Sequence, residues 1–150
     1  MFREMFFNPM LVTALAAWIV SGLLKVPIEY LETKKWNWAL WFSPGGMPSS
    51  HSTLVTATML SVGLFDGFDT AAFAVAFTVM MIVVYDAAGV RRQAGFHAEK
   101  INAIINELFA GHPISEEQLN EVLGHTPRQV IGGVATGLIV ALLIWLLWGK

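Results

Sequence analysis

Residues 71–85 read AAFAVAFTVMMIVVY, an apolar run without one charged side chain. Carried to its natural limits at 70–88, the run approaches the ~20 residues that a helix needs to cross a bilayer's hydrocarbon core. A strand of that length would set an open hydrogen-bonding edge in lipid, which is not tolerated, so the run reads as a helix. Working outward, three more apolar segments appear. The segment Ser50–Phe65 lies upstream and is shorter, with many Thr, Ser and Gly residues. Further upstream, 8–31 is interrupted only by Lys25 and Glu29; downstream, 127–148 ends in LIVALLIWLLW. The expectation is an all-α integral membrane bundle, one membrane domain over 1–150, with about four transmembrane helices at 8–31, 50–65, 70–88 and 127–148. The second span would cross only with little tilt or where the bilayer thins.

Composition agrees. The chain is 55% hydrophobic and 13% charged, about half the charge of a soluble domain. The net charge of −2 is uninformative about partners, and with no basic face to argue for one, a nucleic-acid partner is not expected. The chain has no cysteine, which excludes disulfides, thiolate nucleophiles and Cys-based zinc sites. The N-terminal MFREMFFNPM pairs its arginine with a glutamate and precedes no small-residue cleavage site, so the first segment reads as retained.

Spans two and three are joined by the tight turn FDGFD at 65–69, and the other two connections carry most polar residues. In an up-down arrangement those two connections share a side. They hold Lys34, Lys35, Arg91, Arg92, Lys100 and Arg128, against Arg3 and Lys150 on the other. The positive-inside rule then puts both connections in the cytoplasm of a bacterial cell. The second connection reads as a helix over 93–109, with Ala94, His97, Ile101, Ile104 and Leu108 near one face. A shorter helix follows over 116–123, opened by a capping box of Ser115 and Gln118. Both are expected to be surface helices on the cytoplasmic side.

Chemistry-bearing residues collect at the same side. PGGMPSSHST at 44–53 opens the second span, with Ser49 or Ser50 as N-cap and His51 in the first turn. GHTPRQV at 124–130 opens the fourth: Thr126 can cap, Pro127 suits the first helical position, and His125 precedes the cap. Helix N-termini favour anions through free N–H groups and the helix dipole. The third span ends there in YDAAGVRRQAG, bringing Asp86, Arg91 and Arg92, and an arginine fork matches phosphate oxygens in pairs. The first span brings Lys25, with Lys35 just beyond. Together they describe a phosphate-sized anion site with two histidines and no metal or cofactor.

Each component also has a plainer explanation. Lys35 can be a topology anchor, and Lys25 can snorkel to the headgroups. Arg91 and Arg92 can hold lipid headgroups without chemistry, and Asp86 can be present to pair with one of them. Gly133 and Gly137 form a GxxxG that can serve a homo-oligomer or packing within the chain.

GGMPSSHST, YDAAGVRRQAG and GHTPRQVIGGVATG, in this order, resemble the divergent branch of the type-2 phosphatidic acid phosphatase superfamily, which also includes vanadium haloperoxidases. The resemblance runs from about Leu24 to Gly137. It implies that Pro48-Ser49-Ser50-His51 corresponds to the superfamily's Pro-Ser-Gly-His motif, with His51 as the acid for the leaving oxygen. His125 would be the nucleophile that forms a phosphohistidine. Four residues on, Gln129 stands where the superfamily has an orienting aspartate, and Leu119 stands where its motif arginine belongs. Neither Lys25 nor Lys35 is followed by the superfamily's Arg-Pro, and Arg91 and Arg92 are the candidates to substitute. The implied activity is metal-independent hydrolysis of a lipid phosphate or pyrophosphate. The alternative is a lipid-phosphate binder or translocator that kept the anion site without turnover.

Overall fold

The computed structural model describes residues 7–43, 45–108 and 125–148; of the fourth helix, the side chains of 90–92, 94 and 106–108 are not among them. The described chain is all-helical. Helix α1 is Pro9–Thr33, α2 is Ser50–Phe65, α3 is Ala71–Ala88, α4 is Val90–Leu108 and α5 is Pro127–Trp148. A short 3-10 helix, Trp38–Trp41, lies in the first connection. The helix expected over 116–123, with Ser115 and Gln118, falls outside the described residues.

Local chemistry sets the ends. Asn8 caps α1, its side-chain oxygen accepting from the N–H groups of Met10 and Leu11 at 3.0 and 3.2 Å, with Pro9 at the first helical position. Ser49 caps α2 by accepting from the Ser52 N–H at 3.3 Å. Thr70 caps α3 through the Phe73 N–H at 3.2 Å. Gly89 closes α3, yet α4 restarts at Val90, three residues before the expected 93. Helix α4 turns Gly95 and Asn102 inward and leaves Ile101 and Ile104 of its apolar stripe exposed.

Among the described residues, three helices, α1, α3 and α5, are long and apolar enough to cross a membrane. The expected fourth, α2, has 16 residues and is about 24 Å long, short of a ~30 Å hydrocarbon core. Its surroundings explain its composition. Helix α2 packs against α1, α3 and α5, so Ser52, Thr53, Thr56 and Ser61 are buried among helices. Most of these hydroxyls bond within their own helix: Thr53 donates to the Ser49 carbonyl at 2.9 Å and Ser61 to that of Thr58 at 2.9 Å.

Small residues bring the axes close. Ala17, Ala57, Val140 and Ala141 form the buried cluster joining α1, α2 and α5. A Cβ on Gly133 would lie 2.6 Å from the Ser49 carbonyl oxygen, and one on Gly137 2.6 Å from that of Thr53. The steps of four along both chains match, so α2 and α5 run parallel with their N-termini side by side. The GxxxG face is thus used within the chain, against α2. In a bilayer, such close van der Waals contact drives helix association, because lipid tails are as apolar as the side chains. Helix α1 runs opposite to α2, with Ser21 at the middle of α1 against Ser50 at the start of α2, and Ala17 beside Ala57 farther along.

Candidate anion site at the helix N-termini

The start of α2 and the start of α5 are tied by a backbone bond, Ser49 N–H to the Gln129 carbonyl at 3.0 Å. This brings His51 and His125 together, with ring centroids 6.4 Å apart and planes inclined at 58°. The two histidines are 74 positions apart in sequence and adjacent in space. His125 is 4% exposed; His51 is half-buried.

Gln129 fixes the chemistry of His125. TPRQ at 126–129 forms a capping box: the Thr126 hydroxyl accepts from the Gln129 N–H at 3.4 Å, and Gln129 Oε1 accepts from the Thr126 N–H at 2.9 Å. The same Oε1 lies 3.3 Å from His125 Nδ1. A backbone N–H only donates, so the amide atom facing it is the oxygen. An oxygen only accepts, so Nδ1 carries the proton in this contact and the lone pair sits on Nε2. The residue at the orienting position therefore reaches the imidazole as a carboxylate would, without the charge.

Lys25 does not snorkel. It is 1% exposed and its Nζ donates to the Ser43 carbonyl at 2.7 Å. The loop holding that carbonyl turns back at Gly46, whose φ of +85° lies in the left-handed region that side chains disfavour. A Cβ there would also meet the Lys25 stem at 3.5 Å. The Ser21 hydroxyl donates to the Trp18 carbonyl at 2.8 Å and lies 3.0 Å from the Ser50 hydroxyl. Ser49 is fully buried and serves as cap. Thr126 is exposed beside it.

Other expected members stand differently. Lys35 is exposed beyond the end of α1, with its N–H on the Thr33 hydroxyl at 3.3 Å. Asp86 is half-buried in the last turn of α3. Arg91 and Arg92 open α4 by their backbone; their side chains, and so the pairing expected for Asp86, lie outside the described residues. Among the described residues no group of three or more His, Asp or Glu side chains could hold a metal ion.

Sequence reasoning missed two clefts beside this cluster. One, of about 280 Å³, lies between α1, α2 and the 3-10 helix and is lined by Trp18, Trp41, Phe42, Leu54, Ser50 and His51, among others. The other, of about 610 Å³, has Glu29, Glu32, Gly46, Met47, Arg128 and Gln129 on its walls. The signal for the first was present in the tryptophans of WNWALWF at 36–42, but nothing in periodicity says that this connection folds back onto α1.

The chain is 39% identical over 152 residues to the uncharacterized membrane protein YuiD of Bacillus subtilis (strain 168), covering 94% of this chain and 96% of that one. No solved structure matches it. The family model described as "Divergent PAP2 family" matches residues 6–140, a stretch that contains both histidines, Gln129 and the glycines that dock α5 on α2. By that match, the chain belongs to the divergent PAP2 family.

Proposed function

We propose that this protein is an integral membrane hydrolase of a lipid phosphate or pyrophosphate, working without metal or cofactor through a phosphohistidine on His125. The observation that carries the reading is the pairing of His51 with a His125 whose Nδ1 faces the Gln129 oxygen. One phosphoryl group can touch both rings, since hydrogen-bond and attack distances are each about 3 Å.

In the first step the His125 Nε2 lone pair attacks phosphorus and the bond to the leaving oxygen breaks. His51, as imidazolium, gives that oxygen its proton. In the second step neutral His51 takes a proton from water as the water oxygen attacks phosphorus, and the P–N bond breaks to release phosphate. The N-terminal amides of α2 and α5, the hydroxyls of Ser49 and Ser50, and the cations Lys25, Lys35, Arg91 and Arg92 are proposed to hold the phosphate oxygens. Asp86 and Thr126 support this shell. The full proposal has α2 as a fourth, short span in one membrane domain. It places the site on the cytoplasmic face of a bacterial membrane, among the lipids that supply the substrate.

The second reading is a lipid-phosphate binder or translocator that does not turn over. It is favoured by the neutral amide of Gln129, which holds a tautomer but does not stabilise an imidazolium as a carboxylate does. The deciding experiment is phosphate release from a panel of lipid phosphates by wild type, His51→Ala and His125→Ala, with and without chelator. Release that resists chelator and is lost in both variants supports the hydrolase. Tight lipid-phosphate binding with no release by wild type supports the binder.

A further inference from the structure

The 280 Å³ cleft has a polar end and an apolar body. Ser50 and His51 form the end, and Trp18, Trp41, Phe42 and Leu54 form the body. Trp18 lies seven residues back along α1 from Lys25, about 10 Å along the axis and just past the middle of the helix. Leu54 lies one turn beyond His51 on α2. The cleft therefore starts at the proposed acid and runs along the helices into the bundle's apolar depth.

One wall depends on a missing side chain. A Cβ on Gly22 would lie 3.0 Å from both Cδ1 and Nε1 of Trp41, so the bare backbone of α1 lets the indole lie flat against it. The room suits part of one chain: a methylene group takes about as much space as a water in the liquid, ~30 Å³, so about 280 Å³ has space for about nine or ten such groups.

We infer that this cleft seats an apolar chain of the leaving alcohol, next to the proposed acid. The inference rests on the reading of His51 and His125 as the phosphate site. It adds a seat for the lipid chain, which the two histidines do not provide. Dispersion against the aromatic walls holds the chain there, because a chain leaving lipid for the cleft gains packing and no hydrophobic transfer energy.

The test uses the full chain in lipid nanodiscs and a dodecyl phosphonate with a diazirine at the chain end. A phosphonate is not hydrolysed, so labelling does not need turnover. The expected result is photolabel on the peptides carrying Trp18, Trp41 and Leu54, competed at least tenfold better by plain dodecyl phosphonate than by methyl phosphonate, which has no chain. Gly22→Leu, which displaces Trp41, and Leu54→Trp, which fills the cleft, each lower the label at least tenfold. Label confined to the outer faces of α3 and α5, or equal competition by both phosphonates, overturns the inference. Phosphate release from dodecyl phosphate, measured in parallel, keeps the two proposals apart. Cleft labelling without release leaves the cleft standing and overturns hydrolysis; release without cleft labelling does the reverse.

Discussion

At the scale of single residues, Gln129 has two jobs on one oxygen: it caps α5 through the Thr126 N–H and faces Nδ1 of His125. Substitutions separate them. Gln129→Leu removes both and is expected to cost about 1 kcal/mol in thermal unfolding, the usual value of a lost cap, and to lower phosphate release at least tenfold. Gln129→Glu keeps the capping box and puts a carboxylate beside the imidazole. Its release rate should match or exceed wild type, since a carboxylate also stabilises the imidazolium character that develops on His125. A Glu variant as slow as the Leu variant would mean that His125 gains no positive character in the reaction.

At the scale of helices, the contact that builds the site is the parallel crossing of α2 and α5. Gly133→Ala is expected to destabilise by about 1–3 kcal/mol although alanine is the better helix former, because the new Cβ meets the Ser49 carbonyl at 2.6 Å and Ser52 Cβ at 2.9 Å. The neighbour Gly132→Ala meets only the Met47 side-chain end at 3.1 Å and should be near neutral. Unfolding in detergent compares the two. The starts of α2 and α5 were legible in the sequence because capping residues mark them: Ser49 and Thr126 each sit just outside the helix they open. Lys25 was not legible. Its burial depends on a carbonyl 18 residues away in a folded-back loop, a tertiary contact that no local pattern encodes. Gln129 was legible as a position in a motif, but its hold on the His125 tautomer needed the geometry.

At the scale of the whole molecule, the C-terminal half of α1 lies on the side where the N-termini of α2 and α5 meet, and the α2–α3 turn marks the other. The orientation proposed for that arrangement is checked by labelling. The chain has no cysteine of its own, so single-cysteine variants give a clean signal. Asp69→Cys, in the exposed turn at the far end, should react with an impermeant maleimide on intact cells. Arg128→Cys, exposed at the site end, should react only after permeabilisation. The reverse pattern would put the site on the outer face and limit its substrates to lipids of that leaflet.

The hydrolytic account turns on a bond between phosphorus and His125. Rapid acid-free quenching of the purified protein with ³²P-labelled dodecyl phosphate, followed by peptide mapping, looks for it directly. The account predicts a label stable to base, labile to acid and carried by the peptide containing His125, absent in His125→Ala and formed more slowly in His51→Ala. Phosphate released at the wild-type rate with no labelled peptide, or with label on another residue, would contradict it.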